Sequence, residues 1–224
     1  EIAVIVREGL RRMNENQEDI FYYLTAYNEN YAMPNMPEGV EEGILRGLYL
    51  LKKGPEIKKG QKAQLVSCGS ILRHALAAQQ LLADNYNISA DVWSAPSFQQ
   101  LRKDALEVEH WNLHNPDKSP RKAHVTEVFE KTTGPVIAAT DYMRSLPDMV
   151  SRWIPNPYFS LGTDGFGMSD TREGLRRHFQ VDAESIVYAT LYQLFKAGQV
   201  NAKTLTKAKV ELGLADRAAF AHAI

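Results

Sequence analysis

The chain has 224 residues and a net charge of −1 at neutral pH, with 44% hydrophobic and 24% charged residues. This is enough apolar material for one large or two small globular domains, and the near-neutral balance excludes a general nucleic-acid or anionic-membrane surface. One cysteine excludes an internal disulfide framework, no apolar run nears the roughly 18 residues of a spanning helix, and the start lacks a secretion signal, so a cytoplasmic protein is expected.

Residues 2–6 (IAVIV) form a β-like run, and Leu10 with Met13 can continue it as a helical stripe. A first residue Glu1 in place of methionine points to a piece of a longer chain. Residues 20–24 (IFYYL) are aromatic-rich and predict a strand. Pro34 and Pro37 then mark a linker. Residues 38–51 predict one amphipathic helix, with Val40, Ile44, Leu48 and Leu51 on a single face. A basic loop follows, and then the pattern alternates: strand 63–67, helix 70–84, strand 90–95, helix 97–108. Residues 112–119 predict a loop carrying Pro116, and 125–131 fits a helix or a strand equally well. Strand 135–140, a helix near 143–153 and strand 158–161 come next. Two further helices cover 182–197, with Asp182 as N-cap and Gly198 closing, and 201–212, capped by Asn201. Alternation of this kind implies a three-layer α/β/α domain with a mostly parallel sheet. The proline linker sets the expected boundary: residues 1–37 end one domain and 38–224 form a second.

The most unusual stretch is LGTDGFGMSDTREGLRRHFQVD, residues 161–182. Gly162, Gly165 and Gly167 shape a loop with no room for regular structure. Asp170 and Glu173 have capping-box spacing, Leu175 and Phe179 one apolar stripe, and Asp164 suits an Asx turn. A shaped loop tied to a helix start can hold an anion or dock a neighbouring domain. Gly162, Asp164, Gly165, Phe166, Gly167, Ser169 and Asp170 are therefore candidate docking residues.

Gly69 and Ser70 join a strand to a helix and form a candidate anion site, without the further glycines or the lysine of a nucleotide loop. A tight turn with Ser70 as N-cap explains the same residues. Asp141 follows strand 135–140, at the strand end where open α/β sheets bind ligands. Cys68 has no base near it in sequence and reads as a buried structural thiol. The histidines His74, His110, His114, His124, His178 and His222 make no zinc pattern, and Pro116 argues against one helix presenting both His110 and His114. No metal ligand and no catalytic residue is assigned. Trp93, Trp111 and Trp153 are too scattered for a nucleic-acid stacking platform.

Four motifs, in one order, carry a resemblance: NENY with MPNMPEG at residues 28–31 and 33–39, GSILRH at 69–74, ATDYM at 139–143 and LGTDGFGMSDTRE at 161–173. Together they resemble the homodimeric bacterial pyruvate dehydrogenases, the thiamine-dependent decarboxylating components of pyruvate dehydrogenase complexes. The resemblance implies a Rossmann-like, transketolase-type C-terminal domain in which one strand runs antiparallel, preceded by the tail of a middle domain. It implies a largely structural piece that makes dimer contacts with a second copy. It also implies an enzyme that decarboxylates pyruvate and passes the two-carbon unit to a lipoyl group of a dihydrolipoyl acetyltransferase partner. Thiamine diphosphate and Mg²⁺ would lie outside this chain, because the Gly-Asp-Gly and paired-Asn signature of such sites is missing. The isolated piece is thus expected to be inactive. Ala32 stands where the resembled run carries a histidine. Two alternatives remain: a related 2-oxo acid dehydrogenase, and a free-standing Rossmann-like regulatory domain that uses Gly69 and Ser70 to bind a phosphate, nucleotide or acyl-CoA.

Overall fold

A computed structural model describes residues 1–214; His222 lies outside the described residues. A five-stranded sheet forms the middle layer: β1 (Tyr49–Lys52), β2 (Gln61–Ser67), β3 (Ile88–Ser94), β4 (Val136–Ala139) and β5 (Tyr158–Leu161), in the order β1-β3-β2-β4-β5. β1 runs antiparallel to β3, and the other neighbours are parallel. The sheet is buried on both faces, as its period-two side chains require. Ala63 and Leu65 of β2 and Ile137 and Ala139 of β4 pack with α3 (Leu72–Tyr86) and the later α8 (Ala183–Lys196). Val66, Val136 and Ala138 point the other way, onto α4 (Phe98–His114) and α5 (His124–Phe129). The expected α/β/α architecture with one antiparallel strand is present.

Several local expectations are corrected. Residues 2–6 are not β-like: they open α1 (Ile2–Leu10), whose Val4 packs with Ile44 and Tyr49 while Ile2, Val6 and Leu10 stay exposed. Residues 20–24 form no strand; Phe21 is 86% and Tyr23 84% exposed, and no described strand pairs with them. The helix expected over 38–51 is split. It runs only as α2 (Glu41–Arg46), because Gly47 turns left-handed at φ +93° and Leu48 N–H closes on the Gly43 carbonyl at 2.9 Å, the geometry of a Schellman stop. The rest of that segment becomes β1. α4 continues through His114 and so absorbs the start of the expected loop at 112–119.

The ambiguous 125–131 segment is helical in α5. The helix near 143–153 breaks into the short α6 (Ser145–Asp148) and a 3₁₀ turn at Ser151–Trp153. Beyond β5 come α7 (Arg172–His178), α8 and α9 (Ala202–Glu211). The cap of α7 is Thr171, whose hydroxyl accepts from Gly174 N–H at 3.1 Å; Asp170 instead accepts from Thr171 N–H, so the expected Asp170–Glu173 capping box does not form. Asp182 and Asn201 cap α8 and α9 as their sequence suggests.

Candidate functional site

β2 sits at the point where the strand order reverses: β3 lies on one side of it and β4 on the other. The crevice between the carboxyl ends of β2 and β4 is therefore the ligand position of an open α/β sheet. Two separate sequence candidates meet there. Ser70, just past β2, donates its hydroxyl to Asp141 Oδ2 at 2.9 Å, just past β4. Ser70 therefore does not cap α3, which begins at Leu72 with no side-chain cap.

A third residue, unforeseen in the sequence, completes the cluster. Tyr27 donates its hydroxyl to Asp141 Oδ1 at 3.1 Å. Burial first, and then the Asp141 charge, push that phenol above its ordinary range. Gly69 is what admits it: its φ is +52°, and a Cβ there would lie 2.1 Å from the Tyr27 oxygen. Beneath the cluster Cys68 Sγ lies 3.3 Å from Thr140 Oγ1, and burial pushes the thiol up to about 11, so it is inert at neutral pH, as expected of a structural cysteine.

Tyr27 belongs to the stretch between α1 and α2, and that stretch is held at further points, by Tyr142 and by side chains of α3 and α7. Thr25 and Tyr142 share a hydroxyl hydrogen bond of 2.9 Å. Glu29 pairs with Arg172. Tyr31 accepts from Arg176 at 3.1 Å, and the guanidiniums of Arg73 and Arg176 stand 5.3 and 5.7 Å from its ring centre. The four-residue spacing of Tyr27 and Tyr31 was the available signal for this anchoring.

The glycine loop lies next to this cluster. Gly162 is buried, and a Cβ on it would meet the Tyr142 carbonyl at 2.6 Å. Thr163 donates to the Asp141 carbonyl at 2.7 Å, and Asp164 accepts from Arg144 N–H at 3.0 Å rather than closing a turn of its own. Gly165 turns left-handed at φ +94° and carries the chain outward. Gly167, Ser169 and Asp170 are exposed, and Phe166 is 79% and Met168 54% exposed. With Tyr142 and Met143 they make an apolar rim on a loop whose base is fixed.

The chemistry of this crevice does not suit a diphosphate. The donors of Ser70 and Tyr27 are already given to an internal carboxylate, so an incoming anion would meet the Asp141 charge. Among the described residues no group of three or more His, Cys, Asp or Glu side chains could hold a metal ion. No described helix is long and apolar enough to cross a membrane. His110 and His114, expected to be kept apart, share one face of α4 with ring centres 4.4 Å apart.

Residues 47–182 match the family described as the transketolase-like TK C-terminal domain, and residues 1–34 match the pyruvate dehydrogenase E1 component middle domain. The chain is 46% identical over 215 residues to a pyruvate dehydrogenase E1 component of Pseudomonas aeruginosa, covering 96% of this chain and 24% of that protein. The Escherichia coli K12 protein of the same name is 46% identical over 93% of this chain and 23% of its own length. That of Mycobacterium tuberculosis is 44% identical over 90% of this chain and 22% of its own. The chain thus spans about a quarter of the length of the curated relatives it matches. Among solved structures, transketolase from Pichia stipitis is 16% identical with a TM-score of 0.48, over 75% of this chain and 21% of that one. Leishmania mexicana transketolase is 17% identical with a TM-score of 0.44, over 70% and 19%.

Proposed function

Because the chain belongs to the transketolase-like C-terminal domain family, we propose that it is the non-catalytic, assembly-forming end of a pyruvate dehydrogenase. In this reading residues 1–37 are the tail of the middle domain and 38–224 the C-terminal domain. The whole enzyme decarboxylates pyruvate with thiamine diphosphate and Mg²⁺ held outside this chain, works as a homodimer in the cytoplasm, and acetylates the lipoyl group of its acetyltransferase partner. The observation that carries the reading is the order of the two family matches, middle-domain tail and then C-terminal domain, within a chain 46% identical to such an enzyme over 96% of its length.

In this reading the geometry supports a holding role for this end of the enzyme. The crevice that takes a ligand in related sheets is filled by the chain itself, through Tyr27 on Asp141. The domain therefore holds the linker that precedes it, and it offers the Phe166 and Met168 rim to a neighbouring domain or second copy. The test is fragment complementation. The chain is produced alone, and also together with the rest of the parent enzyme as a separate polypeptide, and pyruvate decarboxylation is followed with thiamine diphosphate and Mg²⁺ supplied. No turnover is expected from the chain alone, and co-purification with restored turnover from the pair. Decarboxylation by the chain alone, or full turnover by the remainder without it, would overturn the reading.

A further inference from the structure

α4 places two imidazoles on one exposed face far from the linker crevice, and we propose that His110 and His114 form a chelating site for one borderline divalent transition-metal ion of the Zn²⁺, Ni²⁺ and Cu²⁺ class. The spacing is the first support. Residues four apart on a helix stand one turn above the other, and the helix of 17 residues runs unbroken through both. Their rings are 4.4 Å apart between centres and inclined by 62°, close enough for both to reach one ion by side-chain rotation alone. Both residues are exposed, so nothing must unfold to admit the ion.

The surroundings supply one carboxylate, and the nearby cations are engaged with Trp111. The histidines line an open surface cavity together with Glu107, one helical turn before His110. The Glu107 carboxylate leans toward Lys103 at 3.8 Å and so contributes charge without closing the coordination sphere. Arg121 lines the same cavity, but its guanidinium is stacked on the Trp111 ring at 3.8 Å. Lys118 is likewise drawn to Trp111, at 5.8 Å. With two nitrogen ligands from the protein, the remaining positions belong to water. Imidazole donors select zinc, nickel and copper over the hard ions Mg²⁺ and Ca²⁺.

Calorimetric titration of the full chain with Zn²⁺ alone, and separately with Mg²⁺ alone, tests this. One Zn²⁺ is expected per chain, with no Mg²⁺ binding. His110→Ala and His114→Ala should each weaken Zn²⁺ by about tenfold or more, since each removes one of two ligands. His178→Ala should leave it unchanged. Zn²⁺ should also raise Tm in the wild type and not in the two α4 variants, because the ion bridges adjacent turns of the native helix only. Equal Zn²⁺ affinity in His110→Ala or His114→Ala, or no saturable Zn²⁺ binding by the folded wild type, would overturn the site.

Discussion

Gly69 is the residue on which the linker contact turns. Its backbone is left-handed, and its missing side chain is the space that the Tyr27 hydroxyl occupies. Gly69→Ala introduces two faults at once, a strained φ and a collision at 2.1 Å, and should destabilise the chain by about 1–3 kcal/mol. Tyr27→Phe removes only the hydroxyl and leaves Asp141 its bond to Ser70, so about 1 kcal/mol is expected. The two variants should also differ in where they fail. Limited proteolysis should cut within 17–36 much faster in Gly69→Ala than in the wild type, with Tyr27→Phe between them. If cleavage in that stretch is equally slow in all three, the tyrosine is a passenger on the crevice and the linker is held elsewhere.

At the scale of elements, β1 and α5 are joined by a buried imidazole. His124 opens α5, and its Nε2 lies 3.0 Å from the Leu48 carbonyl at the start of β1, so the neutral ring carries its proton on Nε2. Burial first holds His124 below its usual range, against the opposing pull of that carbonyl; burial, then Arg176 and Arg73, do the same for His74. A histidine depressed in the folded state stays neutral while the unfolded chain takes up protons. Stability is then complete above about pH 6.5 and falls as the pH drops below it, by at most about 1.4 kcal/mol per pH unit for each of the two groups. The urea midpoint should accordingly be lower at pH 5.5 than at 7.5. His124→Gln, whose amide can still donate to Leu48, should flatten part of that slope; equal midpoints at the two pH values would mean that both rings titrate freely.

The elements also show what a linear reading can reach. β4, β5 and the caps of α8 and α9 were legible because their signals are local: a short apolar run, or a polar side chain just ahead of a helix. β1 was hidden, because a single glycine at 47 ends the helix and starts a strand only four residues long. The run at 20–24 looked like a strand on composition alone, but a strand needs a partner edge, and none among the described residues reaches it. Gly69, Ser70 and Asp141 were each noticed at a strand end. That they form one site depends on β2 and β4 being neighbours, and Tyr27 reaches it from 114 residues away.

Among the described residues of the molecule, exposed large apolar side chains include the stripe of Ile2, Val6 and Leu10 on α1, several side chains between Phe21 and Met36, and the rim of Tyr142, Met143, Phe166 and Met168 at the carboxyl edge of the sheet. Among the described residues 39 hydrophobic residues are buried, and an exposed apolar rim beside that core fits the docking role proposed for this loop. Its base is fixed by Thr163 on the Asp141 carbonyl and Asp164 on Arg144 N–H, so little ordering is left to be done on contact. Phe166→Asp separates folding from docking. Phe166 is 79% exposed, so Tm of the chain alone should barely move, with a stability change within about 0.5 kcal/mol. If the rim docks as proposed, the same change in the parent enzyme places a charge in an apolar contact, and it should weaken subunit association or turnover at least about tenfold. Sedimentation and pyruvate turnover measured on the same preparation distinguish the cases. Unchanged association and unchanged turnover would mean that the rim faces solvent and that the docking proposed for it is wrong.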